Sequence, residues 1–122
     1  MHNLKELKIW NKAIDLSVEV YKATANFPKE EIYGLTSQIR RCVVSISSNI
    51  SEGAGRNSHK EFIHFLGIAN GSAYELQTQL IISNKLNLIT NEILNPLLKE
   101  IEEIQKMNYT FQKTIHNKIL AM

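Results

Sequence analysis

Apolar residues recur at three- and four-residue spacing along almost the whole chain, and nowhere do they alternate with polar ones as a half-buried strand requires. The spacing predicts four helices, over about residues 4–27, 35–52, 58–87 and 91–119. The first carries two apolar seams: Leu7, Trp10, Ile14, Val18 and Tyr21 form one, and Ile9, Ala13, Leu16, Val20, Ala23 and Phe27 the other. Together they leave a polar arc of only about 100°, occupied by Lys8, Asn11, Asp15, Glu19 and Lys22. An outer bundle helix needs an apolar stripe of about 100° or somewhat more. The surplus predicts burial of helix one against a second subunit as well.

Pro28 and Gly34 bracket Lys29-Glu30-Glu31-Ile32-Tyr33 as a connection or a single short turn. Helix two then carries Leu35, Ile39, Cys42 or Val43, Ile46 and Ile50, is rich in serine from Ser37 to Ser51, and stops at Glu52-Gly53-Ala54-Gly55. Ser58-His59-Lys60-Glu61 is a capping box: Ser58 can bond the amide of Glu61, and Glu61 can reach back. Behind it Phe62, Leu66, Ala69, Ala73, Leu76 and Leu80 keep one face apolar. Gly67, Asn70, Gly71 and Ser72 keep the middle of helix three thin, which predicts a neighbouring helix lying close there. In helix four Leu97, Ile101, Ile104, Asn108, Phe111 and Ile115 share a seam, and Asn108 is placed to fix register or oligomer order. Pro96 admits two readings, a kinked first turn after a cap at Thr90 or Asn91, or a regular helix that begins at Asn95. The fold class that follows is all-α: an antiparallel up-down four-helix bundle in a single domain.

Composition bounds this picture without altering it. The 122 residues are 43% apolar and 21% charged, enough for one core and too few for two. No apolar run approaches the roughly 18 residues of a membrane-spanning helix. The opening Met1-His2-Asn3-Leu4-Lys5-Glu6 has no secretion signal, and the single cysteine, Cys42, cannot form an internal bridge. These features point to the cytoplasm.

The net charge is only +2, but its distribution is uneven. Both ends of the chain are neutral, whereas residues 34–60 hold Arg40, Arg41, Arg56 and Lys60 against Glu52 alone, and all three arginines of the chain lie there. Arginine recognises phosphate by its planar fork, and Arg56 and Lys60 sit beside the amino-terminal end of helix three, where anions are favoured. The competing reading is intramolecular pairing of the arginines with Glu52 or Glu75. Adjacent residues cannot share one helix face, so Arg40 and Arg41 must differ, one pairing internally and the other free.

Catalytic constellations are incomplete. Glu61-Phe62-Ile63-His64 supplies one Glu-x-x-His pair, whereas a di-iron bundle needs two such pairs and two further glutamates. His2, His59, His64 and His116 have no zinc spacing, and Cys42 among apolar neighbours reads as an inert core thiol. Ser45 to Ser51 contains no nucleophile elbow, and Gly53-Ala54-Gly55 lacks the Lys-Ser or Lys-Thr of a phosphate loop. No enzyme activity, cofactor, metal or small-molecule substrate is therefore expected.

The run Ser45-Ile46-Ser47-Ser48-Asn49-Ile50-Ser51-Glu52-Gly53, then Arg56, Glu61-Phe62-Ile63-His64-Phe65-Leu66, Gly71-Ser72 and Glu75-Leu76-Gln77-Thr78-Gln79-Leu80, resembles the bacterial four-helix-bundle proteins encoded in intervening sequences of 23S rRNA genes. The likeness extends to Leu7-Ile9-Trp10-Ala13 and to Gln38, Arg40 and Arg41. Asn49, Glu52, Gly53, Ser58, Glu61, Gly71 and Glu75 are then structural motif positions. The family is similar to the accessory protein of diversity-generating retroelements, a pentameric barrel of helical bundles whose basic surface engages a reverse transcriptase and nucleic acid. What the resemblance implies is a homopentameric ring that binds RNA or a nucleoprotein, with Arg40, Arg41, Arg56 and Lys60 as the candidate contacts. The alternative is a protein-interaction scaffold without nucleic acid, its arginines held in internal pairs.

Overall fold

The computed structural model describes residues 3–122, and these form four α-helices with no strand among them. They are α1 (Lys8–Thr24), α2 (Leu35–Ala54), α3 (His59–Lys85) and α4 (Asn91–Leu120). Each helix packs on two others, α1 and α3 both lying against α2 and α4, so the four enclose one core. Its centre is Val20 of α1, Ile39, Val43, Ile46 and Ile50 of α2, Leu66, Leu76 and Leu80 of α3, and Ile101, Ile104 and Ile115 of α4, all buried. The three- and four-residue spacing of these positions is what turns one stripe of each helix inward.

Helix one is shorter than its pattern suggests. A separate 3-10 turn covers Leu4–Glu6, capped by Asn3, whose side chain accepts from the Lys5 amide at 3.2 Å. Leu7 is extended (φ −78°, ψ 109°), and the Asn11 amide donates back to the Lys5 and Leu7 carbonyls at 2.9 and 3.0 Å, which stabilises the break. At its other end the helix stops at Thr24, before Pro28. Proline disfavours helical backbone in the residue preceding it, so Phe27 lies outside the helix.

Pro96 lies inside α4, which begins at Asn91 with Thr90 as its extended cap residue. The turn from α3 to α4 is made by Asn87 in the left-handed region (φ 63°), with the Leu88 amide bonding the Ser83 carbonyl at 2.9 Å. Asn84 closes it, donating to the Ile89 carbonyl and the Asn91 side chain at 3.1 and 2.9 Å.

Polar contacts set the register between neighbours. The Ser17 hydroxyl stands 3.3 Å from the Val43 carbonyl, linking α1 to α2. Between α2 and α3, Ser45 and Ser72 hydroxyls meet at 2.6 Å and the Cys42 thiol donates to the Ser72 carbonyl at 3.1 Å. Between α3 and α4, Gln105 donates to Gln77 at 2.9 Å and Phe111 meets Phe62 edge-on at 5.2 Å. Asn108, 1% exposed, donates to the Leu66 carbonyl at 2.9 Å and accepts from Gln112. Its amide therefore fixes the register of α4 on α3 within one chain.

The thin face expected on α3 is divided. Ser72 does face α2 closely, but Gly67 and Gly71 are exposed, and a Cβ added at either would meet nothing within 4 Å. They lie at the outward pole of α3, opposite Leu66, Ala69 and Ala73. Gly67→Ala and Gly71→Ala are each expected to stabilise the protomer by about 1 kcal/mol, the propensity difference with no packing cost. Urea unfolding of the single variants checks this, and destabilisation of either would mean that another surface covers the glycine.

Candidate nucleic-acid interface

The four basic residues singled out in the sequence do not form one cluster. Arg40 and Arg41 are in the first half of α2, about 20 Å of helix from the turn that carries Arg56 and Lys60. Three of the four sit in quite different surroundings.

Arg40 turns towards α1. Its Nε donates to Thr24 Oγ1 at 2.9 Å, an Nη donates to the Tyr21 carbonyl at 3.2 Å, and the guanidinium lies 4.6 Å from the Tyr21 ring centroid. This is the internally engaged arginine, but its partners are a hydroxyl, a carbonyl and a ring rather than Glu52 or Glu75. These groups cap the carboxyl-terminal end of α1, where the helix dipole favours a cation.

Arg56 does pair with Glu52, at 2.8 Å, and stands 3.6 Å from Glu61 while its guanidinium covers the Phe65 ring at 4.9 Å. Glu61 thus turns its carboxylate to Arg56 rather than back to its own cap. Only half of the capping box forms, Ser58 Oγ accepting from the Glu61 amide at 3.2 Å. Two carboxylates around one guanidinium leave this turn without surplus positive charge apart from Lys60, which is exposed.

The turn is shaped by Gly53. A Cβ there would stand 2.8 Å from Phe62 Cδ1 and 2.9 Å from Phe65 Cβ, so the end of α2 closes directly on the first turn of α3. Asn49, one turn earlier, donates to the Ser45 carbonyl at 2.8 Å and stays within its own helix.

Arg41 is exposed, and among the described residues no carboxylate lies within 4.0 Å of its guanidinium. It lines a polar cleft of about 500 Å³ between α2 and α3, together with Tyr33, Ser37, Gln38, Glu75 and Gln79. Cys42 lies at the back of this cleft with its pKa pushed up to about 12 by burial and, secondarily, by the Glu75 carboxylate. Since that value lies above the ordinary 9.0, the unfolded chain ionises first on raising the pH. The thiol's contribution to stability is full below pH 9 and is lost towards pH 12.

Sequence reasoning missed the cleft, although Gln79 was a signal. It sits beside Leu76 and Leu80 on the apolar side of α3, where a large amide calls for a reason.

The opposite side of the bundle carries the other sign. Between α1 and α4 a groove of about 600 Å³ has Leu16, Ala23, Ile93 and Leu97 below and Asp15, Glu19, Glu92, Glu100 and Lys22 around it, with Lys22 3.7 Å from Glu19 and Lys12 3.2 Å from Glu100. Acids outnumber cations around this groove, which disfavours phosphate in it.

Glu61 and His64 are both exposed, and His64 meets the Phe65 ring edge at 5.3 Å. No group of three His, Cys, Asp or Glu among the described residues is arranged to hold a metal ion, and His2 lies outside those residues. No helix among them is long and apolar enough to cross a membrane.

The 23S rRNA-intervening sequence protein family matches the chain over residues 5–110, which takes in all of α1 to α3 and most of α4. The chain belongs to this family. Among solved structures, a protein of unknown function from the S23 ribosomal protein family of Bacteroides thetaiotaomicron is 27% identical. It superposes with a TM-score of 0.78 over 86% of this chain and 98% of its own. No curated protein matches. Within the family frame, Gly53 and Arg56 have structural roles at the α2–α3 turn, Arg40 is engaged by Thr24 and Tyr21, and Arg41 is the motif arginine without an ion pair or hydrogen bond among the described residues.

Proposed function

We propose that the protein is a non-enzymatic RNA-binding bundle that works as a homo-oligomer in the cytoplasm, with Arg41 as its principal phosphate contact and Lys60 as a second. The observation that carries this reading is the exposed Arg41 guanidinium with no ion pair, in a stretch where cations outnumber acids by four to one. Family membership supports the choice of RNA.

The packing registers support an antiparallel up-down arrangement. Ser17 meets Val43 while Thr24 meets Arg40, and Gln77 meets Gln105 while Leu66 meets Asn108, so positions rise on one helix as they fall on the next. Self-association is supported by the α1 seam in which Ile14, Val18 and Tyr21 remain 38%, 50% and 43% exposed. An exposed apolar patch of this kind suits an association surface, and the ring and its five subunits are what the family resemblance implies. A ring repeats Arg41 around its circumference, which compensates for the small charge of one chain.

The same patch favours the second reading, a scaffold that docks another protein. Fluorescence anisotropy with a structured rRNA fragment at two salt concentrations separates them. Binding that weakens steeply with salt is expected, because several phosphates are neutralised together; absence of binding at low salt would leave the scaffold. Arg41→Ala should lower RNA affinity severalfold and reduce the salt slope by about one, with stability within about 0.5 kcal/mol of the parent. Arg40→Ala should do the reverse, costing about 1–2 kcal/mol of stability through its lost hydrogen bonds and ring contact while RNA affinity holds.

A further inference from the structure

The cleft behind Arg41 has more chemistry than a phosphate contact uses. Its volume is about 500 Å³. Gln79 lines it and is only 8% exposed, yet its Oε1 has no donor among the described residues. That oxygen is enclosed, and it is the amide nitrogen of Gln79 that turns to the carboxylate on the α3 wall. Beside it Glu75 offers a carboxylate that among the described residues has no ion pair and accepts one side-chain hydrogen bond, from the Gln79 amide at 3.5 Å. Tyr33 stands at the mouth with 96% of its surface open, an aromatic face with nothing on it.

The cleft therefore presents acceptors at its α3 wall, a cation at its α2 wall and a free ring at its entrance. A ligand that fits has adjacent N–H donors on one edge, a flat ring and an anionic group. Guanine in a single strand has all three: N1–H and the N2 amino group side by side, a purine ring, and the attached phosphate. Adenine places an acceptor at N1, which would face the Glu75 carboxylate lone pairs. Unstacked RNA bases are read in this way, on their pairing edge and by stacking on aromatic side chains.

We propose that this cleft binds one unpaired guanine of the RNA. Glu75 accepts from N1–H and the N2 amino group, Tyr33 stacks on the ring, and Arg41 holds the phosphate. The inference rests on the RNA reading above and adds a base preference to it.

The test uses the full chain and two labelled single-stranded oligoribonucleotides of equal length, one all adenine and one with a central guanine, by anisotropy at low salt. The guanine strand is expected to bind about tenfold more tightly, the scale of one good bidentate base contact. Glu75→Gln should abolish that preference while binding of the adenine strand stays the same or tightens, since a negative charge has been removed. A purely electrostatic or structural role for Glu75 does not produce that combination. Tyr33→Ala, at a fully exposed position that the fold does not need, should weaken both strands.

Equal affinities for the two strands, or a guanine preference that survives Glu75→Gln, would overturn the cleft assignment and leave RNA binding standing. Failure of both strands to bind would overturn both.

Discussion

Gly53→Val is expected to destabilise the protein by about 2–3 kcal/mol, read as a lower urea midpoint at unchanged slope. The first added carbon already falls 2.8 Å from Phe62 Cδ1 and 2.9 Å from Phe65 Cβ, and the Phe62 carbonyl is 3.3 Å away. Phe65 Cβ is tied to the α3 backbone and cannot swing aside. Phe62 is 3% exposed and packs edge-on against Phe111, so its ring has little room either. Relief requires α2 and α3 to separate at the turn, which loosens the pairing of Arg56 with Glu52 and Glu61 as well. Gly53→Ala separates the two terms at issue. Alanine is favoured over glycine in a helix by about 1 kcal/mol, so net destabilisation by alanine means the steric cost exceeds that gain. An alanine variant more stable than the parent by about that full 1 kcal/mol would show that α2 does not close on α3 as described.

Asn108→Asp should cost about 3 kcal/mol or more at pH 7, although the two side chains have the same shape. The Asn108 amide donates to the Leu66 carbonyl at 2.9 Å from a position 1% exposed. A carboxylate there sets two acceptors against each other in an almost fully buried site. Its folded pKa is raised above the unfolded one by burial and by that carbonyl, so the variant binds a proton more readily folded than unfolded. The sign follows: stability is highest below the unfolded carboxyl value of about 3.9 and is lost as the pH rises through the folded value. Urea midpoints of the variant measured from pH 4 to pH 7 should therefore fall relative to those of the parent. A parallel response in the two proteins would mean that Asn108 is solvated. Asn108→Ala is the milder control, losing the hydrogen bond and some packing but burying no charge.

Asn108 also illustrates what can be read from one dimension. Its place on the apolar seam with Leu97, Ile101, Ile104 and Ile115 marks it as buried and register-setting. Whether its partner lies in the same chain or in another subunit does not follow from spacing, because a seam says which side is covered and not by what. The structure answers with Leu66 of α3. For Gly67 and Gly71 the same ambiguity led to the opposite outcome. Two small residues four apart suit close packing wherever a helix lies over them, and the helices of this chain lie elsewhere. The α1 seam that carries Ile14 was legible as surplus, and within the protomer Ile14 and Val18 are left exposed while Arg40 lies over part of Tyr21.

Helix number, their approximate limits and the inward face of each were determined by the sequence alone, since a 3.6-residue period, a serine cap at Ser58, Pro28 and the Gly53–Gly55 stop are local signals that hold in any context. The concentration of arginine in residues 34–60 was equally plain. Tertiary structure alone decided what those arginines do. Arg40 and Arg41 are neighbours in sequence, but about 100° of helical rotation sends one to Tyr21 and Thr24 and the other to the cleft beside Glu75. Arg56 is neutralised by Glu52 one turn before it and by Glu61 across the turn, a pairing that depends on how tightly Gly53 lets the two helices close. Charge counted along a chain is a sum over residues, whereas the charge available to a phosphate is what remains after each side chain has met its neighbours in space.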